Sequence, residues 1–198
     1  MIKIGLTGGI GTGKSTISSM FRDENFIVID ADMTAKEVLE KNPQILDRVK
    51  IEFGSGFFDW RGEFRRREFG NHIFKFPKQR KKYEGIIMPY IKNEIEKKVQ
   101  KYEKQGEKVV IIDAPTLIEN EMHEEVDYVV LVCADNKTQI QRVKQRDKLT
   151  QAETISRINA QMPLNEKKNY ANIIIDNNGD LIDTQKQVYD LIDFIKTL

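Results

Sequence analysis

Apolar residues along this 198-residue chain follow two alternating patterns. Apolar positions that recur every three or four residues predict helices at 15–22, 136–146, 151–160 and 181–195. Short apolar runs, most of them β-branched, predict five buried strands at 2–6, 26–29, 109–112, 128–132 and 173–175. Because strands that alternate with helices are typical of α/β proteins, we predict an α/β fold with a mostly parallel five-stranded sheet flanked by helices.

One long stretch between the second and third predicted strands lacks any strand pattern. From residue 31 to about 75 the apolar spacing is helical, with breaks at Asn42-Pro43 and in a glycine-containing loop at 54–62. Residues 78–104 predict a further helix, in which Pro89 indicates a kink or a restart. We therefore predict a helical insertion at 33–104 within a core formed by 1–32 and 105–198.

The predicted insertion has an unusual charge. The whole chain has 32 Lys and Arg against 31 Asp and Glu, yet residues 61–104 contain 14 basic and 6 acidic residues. The excess basic residues either lie on solvated helix faces or form a basic surface that attracts an anionic ligand. Because six acids are interspersed and no nucleic-acid-binding motif is present, we expect no nucleic-acid partner.

Composition excludes several other classes of protein. No apolar run approaches the ~20 residues of a membrane span, so we expect no membrane association. The first glycine, Gly5, comes too early for a signal peptide. A single cysteine, Cys133, cannot form an internal disulfide, and the two histidines lack metal-ligand spacing. We therefore expect a globular cytoplasmic protein.

A phosphate-binding motif follows the first predicted strand. Residues 8–15, Gly-Gly-Ile-Gly-Thr-Gly-Lys-Ser, match the Walker A pattern of P-loop proteins. Glycines allow backbone angles that aim successive N–H groups at phosphate oxygens, and the following helix directs its positive dipole end at the same anion. Lys14 supplies a positive charge to the β- and γ-phosphates, and the hydroxyl of Ser15 can coordinate Mg²⁺.

A second motif supports the first. The predicted strand at 109–112 ends in Asp113, as a Walker B strand does, and this carboxylate would hold Mg²⁺ beside Ser15. An acid at a strand end can also be a simple turn residue. The guanine-binding Asn-Lys-x-Asp sequence of GTPases is absent, because Asn136-Lys137 is followed by Thr and Gln. A short P-loop chain with a helical insertion is more typical of a small-molecule kinase.

Two carboxylates follow the second predicted strand. Asp30 and Asp32 lie where the carboxyl ends of parallel strands meet, close to the predicted phosphate loop. A kinase that acts on a hydroxyl needs a carboxylate to orient the acceptor and take its proton. We favour Asp32 for this role and Asp30 as a helix cap, with the reverse assignment as the alternative.

Two arginines share one face of a predicted helix. Arg142 and Arg146 are four residues apart, and arginines on a closing lid can neutralise charge on the transferring phosphoryl group. The alternative is an exposed helix with ordinary surface arginines. We predict a lid at about 136–170.

Together these segments resemble dephospho-CoA kinases. The resemblance rests on residues 5–16, on 29–32, whose sequence is Ile-Asp-Ala-Asp, and on the lid segment 138–147. Arg157-Ile158, Gln161 and the segment 175–179 also match that family. Motifs of the family thus occur in the family's order over nearly the whole chain.

The resemblance implies ATP-dependent phosphorylation of the ribose 3′-hydroxyl of dephospho-CoA, with Mg²⁺, a P-loop core, a CoA-binding helical domain and a lid. It implies catalytic roles for Asp32, Lys14 and Arg146. It implies ATP binding by Gly11, Thr12, Gly13, Lys14, Ser15, Thr16 and Arg146, acceptor binding by Thr7, Asp32 and Arg66, and metal binding by Ser15 and Asp113.

On the acceptor side the sequence departs from the family pattern. Arg65, Met88 and Thr116 replace an Asp, a His and a Leu of the family's motifs, so Arg66 alone carries over from its segment. Two alternatives to dephospho-CoA kinase therefore stay open: a P-loop kinase for another nucleotide or nucleoside, and a nucleotide-binding regulatory module without catalysis. The sequence leaves the oligomeric state open.

Overall fold

The computed structural model describes the backbone of residues 1–198 and every side chain except that of residue 74. The strands are β1 Ile2–Gly8, β2 Ile27–Asp30, β3 Val109–Asp113, β4 Tyr128–Cys133 and β5 Ile173–Asp176. The helices are α1 Lys14–Asp23, α2 Ala31–Lys41, α3 Pro43–Phe53, α4 Arg66–Lys75, α5 Pro77–Lys104, α6 Asn136–Asp147, α7 Gln151–Asn159, α8 Leu164–Lys167 and α9 Leu181–Lys196. Three 3₁₀ turns lie at Ser55–Phe57, Met122–Glu125 and Lys168–Tyr170.

The five strands form one parallel sheet in the order β2-β3-β1-β4-β5. The predicted α/β fold with a parallel five-stranded sheet is therefore confirmed. β1 lies between β3 and β4, so the chain crosses to opposite sides of the first strand. In such sheets the crevice outside the carboxyl ends of the strands, where the strand order reverses, is the usual ligand site. The loop after β1 lies there.

Burial of the strands explains why their apolar runs are continuous rather than alternating. Every residue of β3 and β4 after the first one is buried, Val110 and Ile111 among them, as expected when both faces of a parallel sheet are covered. On one face, strand residues pack in a core cluster with residues of α1 and α9, among them Phe21 and Ile192. Each fully buried large apolar side chain contributes about 1.5–3 kcal/mol to this core.

The chain divides into two compact units. Unit 1 consists of Met1–Asp30 and Val99–Leu198, and unit 2 consists of Ala31–Lys98. Unit 2 contains an aromatic cluster in which the Phe69 ring meets those of Phe53, Phe57 and Tyr83 at centroid distances of 4.9–5.1 Å. The sequence predicts the insertion at 33–104; that it binds an acceptor stays a prediction.

Of the two outcomes predicted at Pro89, a kink or a restart of the helix, the structure excludes the restart. α5 is continuous from Pro77 to Lys104, with Pro89 inside it. Buried isoleucines lie on both sides of this proline, at Ile86 and Ile87 before it and at Ile91 and Ile95 after it. Tertiary burial of this apolar stripe therefore outweighs the cost of one lost helical hydrogen bond. Within the described part of the chain, no helix is long and apolar enough to cross a membrane.

Candidate active site

The loop between β1 and α1 is shaped by glycines. Gly11 and Gly13 have φ angles of 78° and 90°, in the left-handed region that residues with a side chain rarely adopt. Space is equally restrictive, because a Cβ atom on Gly13 would lie 2.1 Å from Nδ2 of Asn177. The glycines of the motif therefore serve both conformation and packing.

Two carbonyl groups of this loop accept hydrogen bonds from side chains. The Gly9 carbonyl accepts from Oγ1 of Thr12 at 2.8 Å, and the Thr12 carbonyl accepts from Nδ2 of Asn177 at 2.7 Å. Nη1 of Arg142 lies 3.4 Å from the same Thr12 oxygen. The first N–H groups of α1 have no intrahelical acceptor, so this end of the helix has the geometry of an anion site.

The structure brings Lys14 and Asp113 together. Asp113, at the end of β3, is in register with Leu6 of β1 and Asp30 of β2, and Nζ of Lys14 donates to its Oδ1 atom. The two side chains are only 16% and 4% exposed. The predicted phosphate-binding cation and the predicted metal-binding carboxylate thus form a largely buried ion pair at the carboxyl edge of the sheet.

Ser15 and Thr16 lie in the first turn of α1, and both are exposed. Among the residues whose side chains are described, no group of three or more His, Cys, Asp or Glu residues could hold a metal ion. Mg²⁺ nevertheless needs few protein ligands, because it usually retains waters and binds through one or two oxygen groups and substrate phosphates. The hard oxygen donors of Ser15 and Asp113 fit that mode of binding.

The two predicted lid arginines differ in their surroundings. Arg142 contacts the phosphate loop through the Thr12 carbonyl, as described above. Arg146 has a side chain that is 61% exposed and forms two hydrogen bonds with Asp147, at 2.7 and 3.0 Å. Hydrogen bonding to Arg146 lowers the pKa of Asp147, although partial desolvation opposes this. In this arrangement Arg146 has a carboxylate partner and Arg142 touches the loop.

The residues predicted to bind the acceptor are distributed over the fold. Thr7 is buried in β1, and its hydroxyl donates to the carbonyl oxygen of Pro115 at 3.1 Å. Asp30 is the last residue of β2 in unit 1, whereas Asp32 is exposed in the first turn of α2 in unit 2. Arg66 is the exposed first residue of α4.

Sequence reasoning missed a buried lysine near this site. Lys167, the last residue of α8, is 0% exposed, and its Nζ donates to the Pro115 carbonyl at 2.7 Å and pairs with Oε1 of Glu119 at 3.0 Å. Burial lowers the pKa of Lys167, whereas the Glu119 carboxylate raises it. The positive charge of Lys14 lowers the pKa of Lys167 further.

Asn177 was also missed as a structural residue. Asn177 lies in the segment 175–179 that matches the family. The residue is 8% exposed, and its side-chain amide bridges the Thr12 carbonyl to the Thr184 hydroxyl. Only its place in the family-like segment 175–179 could have drawn attention to it. No local pattern reveals that residue 177 contacts residue 12.

Comparison with known proteins gives consistent results. Residues 2–183 match the family model described as dephospho-CoA kinase. The chain is 62% identical over 194 residues to the dephospho-CoA kinase of Clostridium perfringens, covering 98% of each chain. It is 50% identical to that of Clostridium tetani, covering 100% of this chain and 87% of the relative. The crystal structure of TT1252 from Thermus thermophilus is 28% identical, with a TM-score of 0.81 over 97% of this chain and 96% of that one.

Proposed function

The chain belongs to the dephospho-CoA kinase family, and we propose that it transfers the γ-phosphoryl group of ATP to the ribose 3′-hydroxyl of dephospho-CoA. This reaction is the last step of coenzyme A biosynthesis. The hydroxyl oxygen forms a bond to the γ-phosphorus, the bond to the bridging oxygen breaks, and ADP leaves. The hydroxyl proton passes to a carboxylate of the enzyme.

The contact between Lys14 and Asp113 carries the proposal for the donor side. Both groups lie at the carboxyl edge of the sheet beside the loop, where a triphosphate would meet its N–H groups. We propose that Lys14 exchanges the carboxylate for phosphate oxygens when ATP binds. Ser15 and Asp113 would then hold Mg²⁺, which neutralises charge on the β- and γ-phosphates.

On the acceptor side we propose that Asp32 orients the 3′-hydroxyl and accepts its proton, with Thr7 and Arg66 binding the acceptor. The acceptor carries a pyrophosphate, and the basic stretch 61–104, most of which lies in unit 2, supplies complementary charge. Arg146 would leave Asp147 to stabilise the transferring phosphoryl group, while residues 136–170 close as a lid and exclude water.

We also propose that the enzyme works in the cytoplasm, without membrane or nucleic-acid partners. Its single cysteine, Cys133, is a buried free thiol, which a reducing compartment preserves.

A coupled assay of ADP release tests the proposed reaction. The purified chain is supplied with ATP, Mg²⁺ and, in separate reactions, dephospho-CoA, adenosine or AMP. We expect turnover with dephospho-CoA to exceed the others clearly and to stop when EDTA removes Mg²⁺. Equal turnover of all acceptors would contradict the assigned substrate, and turnover in EDTA would contradict the role of the metal.

Replacing Asp32 by Asn tests the proposed base. Because an amide cannot accept the hydroxyl proton, Asp32→Asn should lower kcat at least ~100-fold while the KM for ATP changes little. The matched control is Asp30→Asn, which removes a carboxylate two residues away and should keep most of the turnover. If the control loses more turnover than Asp32→Asn, the roles of the two acids are reversed.

A further inference from the structure

Two glutamines outside the Walker A motif hydrogen-bond to Ile10 within it, one to its backbone N–H and the other to its backbone carbonyl. The N–H of Ile10 donates to Oε1 of Gln161 at 2.8 Å. The carbonyl oxygen of Ile10 accepts from Nε2 of Gln139 at 2.7 Å. Gln139 lies in the first turn of α6, and Gln161 follows the end of α7, so two separate segments of the predicted lid hydrogen-bond to the phosphate loop at one residue.

The direction of each hydrogen bond follows from chemistry. A backbone N–H can only donate, so Gln161 must present its oxygen, and a backbone carbonyl can only accept, so Gln139 must present its nitrogen. The Gln139 side chain is buried, with the residue 2% exposed. One glutamine therefore acts only as an acceptor toward Ile10 and the other only as a donor.

These two bonds fix the orientation of two successive peptide planes. In a trans peptide the N–H points opposite to the preceding carbonyl. Because the Ile10 carbonyl is held by Gln139, the N–H of Gly11 in the same peptide points away from Gln139. By the same rule, fixing the Ile10 N–H on Gln161 directs the Gly9 carbonyl toward Thr12, whose N–H reaches it at 3.2 Å. Glycines on both sides of Ile10 would otherwise let these planes rotate at little cost.

Gln139 packs closely against the glycines on both sides of Ile10. A Cβ atom on Gly9 would lie 2.8 Å from Nε2 of Gln139, and a Cβ on Gly11 would lie 2.8 Å from the Gln139 carbonyl oxygen. Gln139 and Gln161 also line a cavity of about 740 Å³ at the carboxyl ends of β4 and β5. Glu and Met are close to Gln in volume, so these substitutions should not overpack either position.

We propose that Gln139 and Gln161 are positioning residues for ATP binding, acting through Ile10 to aim the Gly11 N–H at the phosphates. This inference rests on the proposed function, since it takes the loop to bind the phosphates of ATP. It adds a requirement outside the Walker A motif: one donor at position 139 and one acceptor at position 161.

The same substitution at both positions should have opposite outcomes. Gln161→Glu keeps an acceptor for the Ile10 N–H, whereas Gln139→Glu removes the donor and sets a carboxylate against the Ile10 carbonyl. Both variants add one negative charge near the same residue, so the difference between them isolates the hydrogen bond. ADP affinity, measured by titration calorimetry, should fall at least ~10-fold further in Gln139→Glu than in Gln161→Glu, the cost of a buried carbonyl without its donor.

Two further variants separate the effect of the hydrogen bond from the effects of added charge and of misfolding. Gln141→Glu adds the same charge at an exposed position of α6 and should bind ADP like the wild type. Gln139→Met removes the donor without adding charge and should weaken ADP binding several-fold if Gln139→Glu does not fold. In variants that turn over, the KM for ATP should rise while the KM for dephospho-CoA changes less than ~3-fold, a split that general destabilisation would not produce.

Equal losses in the two Glu variants, or wild-type affinity in Gln139→Met, would overturn the inference. Calorimetry with ADP needs no acceptor, so failure of the inference is distinguishable from failure of the proposed function. A wild type that binds ADP but does not phosphorylate dephospho-CoA would contradict only the proposed reaction. A wild type that does not bind ADP would contradict both.

Discussion

The buried ion pair between Lys167 and Glu119 gives the sharpest prediction about stability. We consider Lys167→Met, which keeps an unbranched side chain of similar length and removes the charge. The Pro115 carbonyl would still accept from the Thr7 hydroxyl, so it does not become unsatisfied. Glu119 would lose its cation and keep one hydrogen bond, from the N–H of Met162 at 3.0 Å.

The magnitude follows from the carboxylate that remains. Removing one partner of a buried pair costs about 3–5 kcal/mol, because the other charge stays buried without compensation. The Glu119 side chain is 21% exposed, and its Oε2 atom is buried with no hydrogen-bond partner among the described residues. We take the lower end, about 3 kcal/mol, which corresponds to a fall in Tm of about 6–12 °C for a chain of this size.

Circular dichroism during urea and thermal unfolding measures this loss. The only tryptophan, Trp60, lies in unit 2, so its fluorescence would not follow unit 1, to which Lys167 belongs. The double variant Lys167→Met/Glu119→Gln removes both charges, keeps the acceptor for the Met162 N–H and should recover at least ~1 kcal/mol relative to the sum of the single variants.

Additive losses in the double variant would refute the reasoning, because they would mean that the two charges do not interact. A loss below ~1 kcal/mol in Lys167→Met would refute it as well. Lys168→Met is a suitable control: the neighbouring lysine is exposed, and its replacement should change stability by less than ~0.5 kcal/mol.

Two further predictions concern the loop and unit 2. Gly13→Ala should raise the KM for ATP at least ~10-fold, because the new Cβ would lie 2.1 Å from Asn177 at a φ of 90°; a less than twofold change in steady-state kinetics would contradict this. Burial raises the pKa of Tyr83 to about 12, above its unfolded value of about 10. The stability due to the neutral phenol is therefore present below pH 10 and lost between pH 10 and 12. Over that range the wild type should lose about 3 kcal/mol relative to Tyr83→Phe in urea unfolding; parallel losses would mean that Tyr83 titrates normally.

The strands and the phosphate loop could be predicted because their signals are local. Consecutive apolar residues such as those of β3 and β4 arise when both sheet faces are covered, and the loop's glycines and Lys14 are contiguous in sequence. The alternating order of elements then limited the topology to a parallel sheet with the loop at its carboxyl edge.

Contacts between distant segments could not be predicted from spacing. Lys167 and Lys168 are adjacent and chemically identical, yet the first is fully buried and the second is exposed. Lysines are mostly exposed, so composition favours the wrong environment for Lys167. Of the kink or restart predicted at Pro89, the restart is excluded for a related reason, since burial of isoleucines on both sides of the proline overrides a local preference.

The phosphate loop also shows why a motif is not sufficient by itself. Its glycines permit the left-handed angles at Gly11 and Gly13, but the same freedom would cost entropy each time the loop ordered around a ligand. Residues outside the motif restrict that freedom. Gln139 donates to the Ile10 carbonyl and Asn177 donates to the Thr12 carbonyl, so any other orientation of these carbonyls would lose a buried hydrogen bond. Affinity for nucleotide should therefore depend on residues more than 100 positions away from the motif, and substitutions there should weaken ATP binding without changing any residue of the Walker A sequence.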